Sequence, residues 1–420
     1  MDAELECAEV LAVVERRMRS LRAVLESRRW STPRGLLHAL CLGVLRNYRL
    51  LVRLLRRCGY RGPVRGGRRE GWLPIVAAYE AVFRRGRVPA ERLERFLPRS
   101  VAECLRSSEP RDALDPSMGV AERLSVLYSV PRWVVEKLLE LHDATRVESI
   151  LRAFQEQTPI YIRFNRSLVE PGEALRAAQS AGVEAEPDPV LDDVLVARRV
   201  EPGAVERLDP RLFYIQDRSA ALVAHVLGPV EGLVFDPFSA PGGKASHVLW
   251  RNPGATVAAM DSSRRRLGDE ARLLARQGVL SRVLLIHGDA RRPPLRAADA
   301  AIVDPDCSSI GRIGHSPETR LFLEQSGPRI VERMARLQRE GLRAAAKLLP
   351  RGAVLVYSTC TLTREENEGV VQALVEEGLV EPLESGPWIG ERSPILPRAQ
   401  RVYPDRARCS GGFVARLRRV

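Results

Sequence analysis

Cys307 in AAIVDPDCSS and Cys360 in VLVYSTCTL each lie where an apolar, β-branched run meets a polar turn. A cysteine kept for packing sits within an apolar face, so two thiols at the ends of strand-like runs point to nucleophilic or acid–base work. The thiolate is the reactive form. At an ordinary pKa near ~8.5 only a few per cent is ionised at neutral pH, and a shift to about 7 raises that to roughly half. Lys244 and the arginine-rich surroundings are candidates for supplying the shift. Cys360 alone would read as structural; its neighbours Ser358, Thr359 and Thr361, and the matching placement of Cys307, reverse that reading. Cys7, Cys41, Cys58 and Cys104 fall on helical apolar faces and read as packing residues.

Acidic residues recur in the same kind of place. Asp236, Asp261, Asp289 and Asp304, with Ser358, each follow the apolar part of a strand-like run on its carboxyl side, which in an open α/β sheet is the ligand crevice. A lone Asp there is more often a helix cap, but five polar residues sharing one edge describe a site. Phe235 to Lys244 reads as a strand, a tight Gly-rich loop (Phe238, Ser239, Ala240, Pro241, Gly242, Gly243) and the start of a helix, a layout that brings backbone N–H groups to a ligand. It is neither GxGxxG nor a Walker A loop, because Ala245 follows Lys244 where Ser or Thr would be needed, so triphosphate hydrolysis is disfavoured. Asp261 is placed to accept hydrogen bonds from ribose hydroxyls, and Asp289 to meet an adenine edge.

The elements that must hold these residues follow from periodicity. From residue 216 onward strands alternate with helices, which predicts a parallel sheet with covering helices: strands at 233–235, 256–260, 283–286, 300–303 and 353–357, and helices near 246, over 264–277 and over 330–349. Residues 151–215 read as a small α/β module, and residues 1–150 as a helical bundle interrupted at 59–69 and 110–116. The arginine-rich loops of that bundle fit RNA contact and plain solvation equally.

With 420 residues, 45% hydrophobic and 28% charged, the chain has an ordinary globular composition. Its net charge of +13 suits a polyanionic partner, although an arginine-biased composition gives the same sum. Only Lys137, Lys244 and Lys347 are lysines, which makes the compact ammonium of Lys244 in SAPGGK conspicuous. The seven cysteines are scattered, without CxxC spacing, and indicate neither a zinc site nor a disulfide framework. The six histidines show no triad or metal spacing, and His247 and His287 read as structural. No apolar run is long enough to span a bilayer, and the acidic start MDAELECAEV reads as helix rather than leader. The expectation is a soluble, reduced, cytoplasmic protein with no metal, its monomeric state favoured but open.

Taken jointly, YIQDRSA, the SAPGGK loop, Asp261 with Arg266-Leu267, Gly288-Asp289, DPDCSSIG with Pro317-Glu318, Gln338 and YSTCTLTREENEGVV resemble the Sun/Fmu group of RNA (cytosine-C5) methyltransferases, which use S-adenosylmethionine. The helical region is similar to the NusB-like RNA-binding domain of one branch, with TPIYIRFNRS resembling the small domain after it. The resemblance implies an α/β, Rossmann-like methyltransferase domain over 216–420, preceded by an all-α NusB-like domain and a small α/β module. It implies that Phe238 to Lys244, Asp261, Arg266, Asp289 and Asp304 bind S-adenosyl-L-methionine or line its pocket. Cys360 corresponds to the nucleophile that adds to cytosine C6, Cys307 to the second cysteine, linked to release of the methylated base, and Asp304 to a carboxyl group at N3 or N4.

One departure touches the site. The residue before the second cysteine is usually proline in this family and here is Asp306, a carboxylate expected to raise the Cys307 pKa or take up the C5 proton. The expected partner is RNA, ribosomal RNA ahead of transfer RNA. The competing readings are a non-catalytic RNA-binding assembly factor and a DNA cytosine methyltransferase that would attack through Cys307. Asn367 and Glu368 are expected to begin or brace the helix after Cys360.

Overall fold

The computed structural model describes residues 3–420, which divide into two compact units: residues up to Gln157 with Arg312–Pro328, and Thr158–Gly311 with Arg329–Val420.

The first unit is all helical. Its longest helix, Arg34–Arg57, buries Leu37, Leu40, Cys41, Val44, Leu45, Leu51, Leu54 and Leu55 at three- and four-residue spacing, the stripe that a helix must cover to be stable in water. The helices Ala3–Arg17 and Arg69–Phe83 supply the cover. Buried Glu15 is satisfied by the Trp72 indole N–H (2.8 Å), the Gly67 backbone N–H (2.8 Å) and Arg65.

Two sequence expectations are corrected in this unit. Cys58 and Cys104 form a disulfide across 46 residues, where packing thiols in a reduced chain were expected. Their spacing gave no sign of it, because the pairing depends on the end of the Arg34–Arg57 helix meeting the helix Arg99–Ser107, a tertiary relationship. Residues 312–328, expected within the 216–420 domain, belong to the helical unit instead. There the helix Thr319–Ser326 buries Leu321 and Leu323, Glu324 accepts from Tyr48 (2.7 Å) and Arg49 (2.7 Å), and wholly buried Arg320 donates to the Ile313 carbonyl (3.0 Å) and to Gln155 (2.9 Å).

The second unit holds two sheets. In the smaller, β1 (Ile160–Phe164), β2 (Val183–Pro187), β3 (Val194–Val200) and β4 (Phe213–Ile215) run antiparallel in the order β2-β3-β1-β4. The larger has a parallel half: β5 (Gly232–Asp236), β6 (Ala255–Asp261), β7 (Val283–His287), β8 (Ala300–Val303) and β9 (Val354–Thr359), ordered β9-β8-β5-β6-β7. Buried on both faces over most of their length, β5, β6, β8 and β9 read as nearly continuous apolar runs, as a covered parallel sheet requires, while β7 at the edge leaves Leu284 55% exposed.

The antiparallel strands beyond β9 went unread in the sequence: β10 (Val380–Leu383), β11 (Glu391–Arg392), β12 (Gln400–Val402) and β13 (Gly412–Arg419). β13 pairs with β9, and Glu368 and Arg401 form a buried ion pair beneath this edge at 2.5 Å. Among the described residues no helix is long and apolar enough to cross a membrane.

Candidate active site

Strand order reverses beside β5: β6 and β7 lie to one side, β8 and β9 to the other. Loops leaving neighbouring strands in opposite directions open a crevice at such a point. Asp236 and Asp261 end β5 and β6, Asp304 follows β8, and Cys360 follows β9.

The β5 loop is built for a close ligand. Ser239 is pinned by its N–H to the Met260 carbonyl (3.0 Å) and by its hydroxyl to Glu270 (2.8 Å). Gly242 caps the helix Gly243–Arg251 at φ 96°, and a Cβ there would lie 2.8 Å from Glu270 Cγ, so both conformation and space demand glycine. Phe238 fills the gap left by Gly341 of the helix Arg329–Leu348, where a Cβ would approach its ring to 2.8 Å. Burial, with Glu270 and Asp304 nearby, pushes the Asp236 carboxyl well up, and burial raises Glu270 to about 7.

Asp261 is buried; one oxygen accepts from the Ser263 N–H (2.7 Å) and Arg266 Nε (3.1 Å), while among the described residues no protein donor reaches the other. That spare acceptor at a strand end, beside a glycine cradle, fits the ribose of S-adenosylmethionine. Asp289 is exposed and paired with Arg291 (2.6 Å), which holds its carboxyl low.

Asp304 is gripped from both sides: Lys244 Nζ donates to one oxygen (2.5 Å) and the Ser358 hydroxyl to the other (2.7 Å). The second contact follows from register, because Val303 pairs with Tyr357 and the next residues of these parallel strands must meet. Burial pulls the Lys244 ammonium down, but Asp304, and then Cys360, outweigh it and hold its pKa above the ordinary lysine value.

Neighbouring strands also bring the two thiols together. Cys307 and Cys360, 53 residues apart, lie with their sulfurs 2.9 Å from each other, and the Ser309 hydroxyl is 3.6 Å from Cys360 Sγ. The hydrogen bond to Cys360 and burial push the Cys307 thiol well up. A thiol that keeps its proton can donate to the sulfur beside it, and a donor at that distance favours negative charge on Cys360.

Asp306 does not act on Cys307 as its sequence position suggested. Its side chain is 62% exposed and turns to Arg266 (3.4 Å), because the peptide turn after Pro305 carries it out of the crevice. The carboxyl group that bears on Cys307 is Glu366, which the sequence reading passed over. Wholly buried, Glu366 accepts from the Ser308 N–H (2.8 Å) and hydroxyl (2.5 Å), from Gln338 (3.0 Å) and from Thr363 (2.9 Å). Gln338 also holds the Asp306 carbonyl (3.0 Å). Asn367 accepts from Thr359 (2.5 Å) and donates to the Thr361 carbonyl (3.1 Å), bracing the turn around Cys360 from the other side.

Outside the crevice, Asp193, His225 and His247 converge although no spacing announces them. Asp193 lies 2.8 Å from His225 Nε2 and 2.9 Å from His247 Nε2. Arg251 Nη1, 2.7 Å from Asp193 and 3.4 Å from His225 Nε2, already supplies a cation there. Burial holds the His247 imidazole down at about 4.

Comparison with known proteins bears on this crevice directly. Residues 224–418 match the family model described as 16S rRNA methyltransferase RsmB/F, and residues 130–200 match the ferredoxin-like domain of RsmF/B-like methyltransferases. The chain is 38% identical over 213 residues to a tRNA (cytosine(72)-C(5))-methyltransferase of Pyrococcus horikoshii, a match spanning 50% of this chain and 52% of that enzyme. It is 29% identical over 362 residues to ribosomal RNA small subunit methyltransferase B of Yersinia pestis, covering 82% of both chains. Among solved structures, PH0851 superposes with a TM-score of 0.79 over 100% of this chain and 99% of its own at 21% identity, a likeness of fold. A methyltransferase homologue from Pyrococcus horikoshii superposes with a TM-score of 0.58 at 26% identity, over 69% of this chain and 99% of its own.

Proposed function

The chain belongs to the Sun/Fmu family of RNA (cytosine-C5) methyltransferases, and on that premise we propose that it methylates C5 of a cytosine in small-subunit ribosomal RNA through a covalent adduct of Cys360. The observation that carries this reading is the paired thiols, one donating to the other, beside the Lys244–Asp304–Ser358 cluster. Ribosomal RNA is favoured over transfer RNA because the ribosomal relative aligns over 82% of the chain, whereas the tRNA relative aligns over 50% of it. The helical unit, which we read as NusB-like, adds affinity for RNA, and the protein acts in the cytoplasm.

S-adenosylmethionine, the methyl donor of the family, supplies an electrophilic methyl group on a sulfonium. The Phe238–Lys244 loop, Asp261 and Arg266 would hold it, with Asp289 at the rim of the pocket. Cytosine C5 is a poor nucleophile until the Cys360 thiolate adds to C6: a C6–S bond forms and the C5=C6 electron pair becomes available at C5. Asp304, gripped by Lys244 and Ser358, keeps lone pairs that can accept from the cytosine N4 amine and so hold the ring in place for addition at C6. The C5 electron pair would then displace the sulfonium, forming C5–CH3 while the broken C–S bond leaves its electrons on sulfur, so that the neutral thioether S-adenosylhomocysteine departs.

Release falls to Cys307. Its thiol stays protonated while the Cys360 sulfur beside it is anionic. Once that sulfur is bonded to C6 the repulsion between two anionic sulfurs is gone, so Cys307 gives its own proton to solvent and stands as the thiolate base at the moment one is needed. It takes the C5 proton, the C5–H electrons restore C5=C6, and Cys360 leaves as thiolate. A flipped or single-stranded cytosine enters at lower cost than a paired one.

The test is a covalent trap. With S-adenosylmethionine and RNA containing 5-azacytidine, the protein should form a denaturation-resistant adduct that Cys360→Ala abolishes. An adduct that survives in Cys360→Ala and disappears in Cys307→Ala would favour the DNA-type route, and no adduct with the wild type would favour a non-catalytic assembly factor.

A further inference from the structure

The helix Arg329–Leu348 has two faces with different business. Its buried face serves the site: Gln338 holds the Asp306 carbonyl and Glu366, and Gly341 seats Phe238. Its solvent face carries Arg329, Arg333, Arg336, Arg339, Arg343 and Lys347, spaced three or four residues apart so that they form one ridge. Over 20 residues that ridge runs about 30 Å.

Some exposed helical arginines elsewhere are matched at this spacing by acids, as in Arg22–Glu26, Arg99–Glu103 and Arg132–Glu136. On the ridge Arg329–Arg333, Arg339–Arg343 and Arg343–Lys347 are cation–cation neighbours, while Arg336 stands four residues from Glu332 and from Glu340 without pairing with either. Such like-charge pairs cost the isolated helix roughly 0.2–0.5 kcal/mol each. Glu332 and Glu340 are the acids sharing this face, and Glu340 answers Arg291 (3.6 Å) from the loop after β7. Arg343 pairs with Glu377, while Arg329, Arg333, Arg336, Arg339 and Lys347 make no ion pair among the described residues.

Placement gives the ridge its use. The Leu348 carbonyl accepts from Ala298, just before β8 begins, so the helix ends at the amino edge of the sheet. Gln338, bonded to Asp306, marks the level of the crevice at the carboxyl edge. The helix therefore runs from the carboxyl side of the sheet toward its amino edge, which puts Arg329, Arg333 and Arg336 in the turns before Gln338, toward the side on which the crevice opens, and Arg339 next to Gln338.

We propose that the solvent face of the Arg329–Leu348 helix carries the phosphate backbone of the RNA flanking the reacting cytosine. This rests on the reading of the protein as an RNA methyltransferase and adds a specific path for the strand. Guanidinium groups at this spacing neutralise successive phosphates without reading bases, so the contribution is to affinity and salt dependence.

The test compares Arg333→Gln/Arg336→Gln/Arg339→Gln with Arg265→Gln/Arg272→Gln/Arg276→Gln, an equal removal of charge from the exposed arginines of the helix Arg264–Arg276. The probe is a fluorescein-labelled single-stranded RNA of mixed sequence, with binding followed from about 50 to about 200 mM salt. The ridge variant should bind at least about tenfold more weakly at low salt, and its log Kd against log salt slope should fall by roughly 2, about 0.7 for each phosphate left without its guanidinium. The control should keep both affinity and slope, and S-adenosylmethionine binding by calorimetry should be unchanged in each. Equal weakening in the two variants, or wild-type slope and affinity in the ridge variant, would overturn the proposal. Methyl transfer by the wild type is scored separately: its absence would sink the enzymatic reading, whereas a methylating wild type whose ridge variant binds normally would sink only the ridge.

Discussion

Glu366 and Ser308 share two hydrogen bonds, from the Ser308 backbone N–H to one carboxyl oxygen (2.8 Å) and from its hydroxyl to the other (2.5 Å). The residue beside Cys307 is thereby fastened to the loop that follows Cys360, and the distance between the thiols is set by a buried carboxyl group rather than by the thiols themselves. Removing it leaves the Ser308 N–H unsatisfied, a cost of about 1–3 kcal/mol. Glu366→Ala should lower kcat at least about tenfold, the equivalent of about 1.4 kcal/mol, while leaving KM for both substrates near the wild-type value. Glu366→Gln, which keeps the shape and one acceptor, should recover part of the loss. A variant with unchanged kcat would show that the thiol geometry does not depend on this residue.

Cys307 has a different signature from Cys360. If it removes the C5 proton, Cys307→Ala should methylate the base but fail to let it go. Stable protein–RNA complexes are then expected on denaturing gels with ordinary cytosine RNA, and none with Cys360→Ala or the double variant. Normal turnover by Cys307→Ala would transfer release to another base.

Glu270 makes stability depend on pH. Burial raises its folded pKa from 4.5 to about 7, so the native state keeps a proton that the unfolded chain gives up. Its contribution is whole below about pH 4.5 and is lost as the pH rises through about 7. The full loss is about 3 kcal/mol at most. Glu270→Gln cannot ionise and still offers Ser239 an acceptor. Its urea midpoint should exceed that of the wild type at pH 8 and meet it near pH 5; parallel pH curves would refute the assignment.

The Cys58–Cys104 bond closes a loop of 46 residues. Chain entropy alone assigns such a loop about 4 kcal/mol. Cys58→Ser/Cys104→Ser, or a reductant on the wild type, should lower the melting temperature to the same value, and the wild type should run faster on a non-reducing gel than on a reducing one. Indifference to reductant on both counts would mean that the thiols do not pair.

What the sequence disclosed and what it withheld divide along a physical line. Cys307, Cys360, Asp304 and Lys244 were legible because each follows an apolar run or a glycine-rich loop, signals carried by a few adjacent residues. Their meeting was legible too, since parallel strands align their carboxyl ends. Glu366 was not, because in TREENEG it stands between similar letters and only burial distinguishes it from Glu365. The outward turn of Asp306, the disulfide, and the convergence of Asp193, His225 and His247 depend on contacts between distant segments. β10 to β13 were missed because β11 and β12 are short and lie among Pro- and Arg-rich loops that mask the period of two.

Residues 312–328, whose Leu321 joins the core of the helical unit, have a consequence for biogenesis. A ribosome making this chain finishes the first stretch of that unit at Gln157 but delivers its last piece only at Pro328, 171 residues later. At roughly 5–20 residues per second, the nascent unit waits about 10–30 s with part of its apolar surface uncovered. Neither half can be transplanted as a cassette by cutting the gene once, and the order of translation is built into when this protein can first become whole.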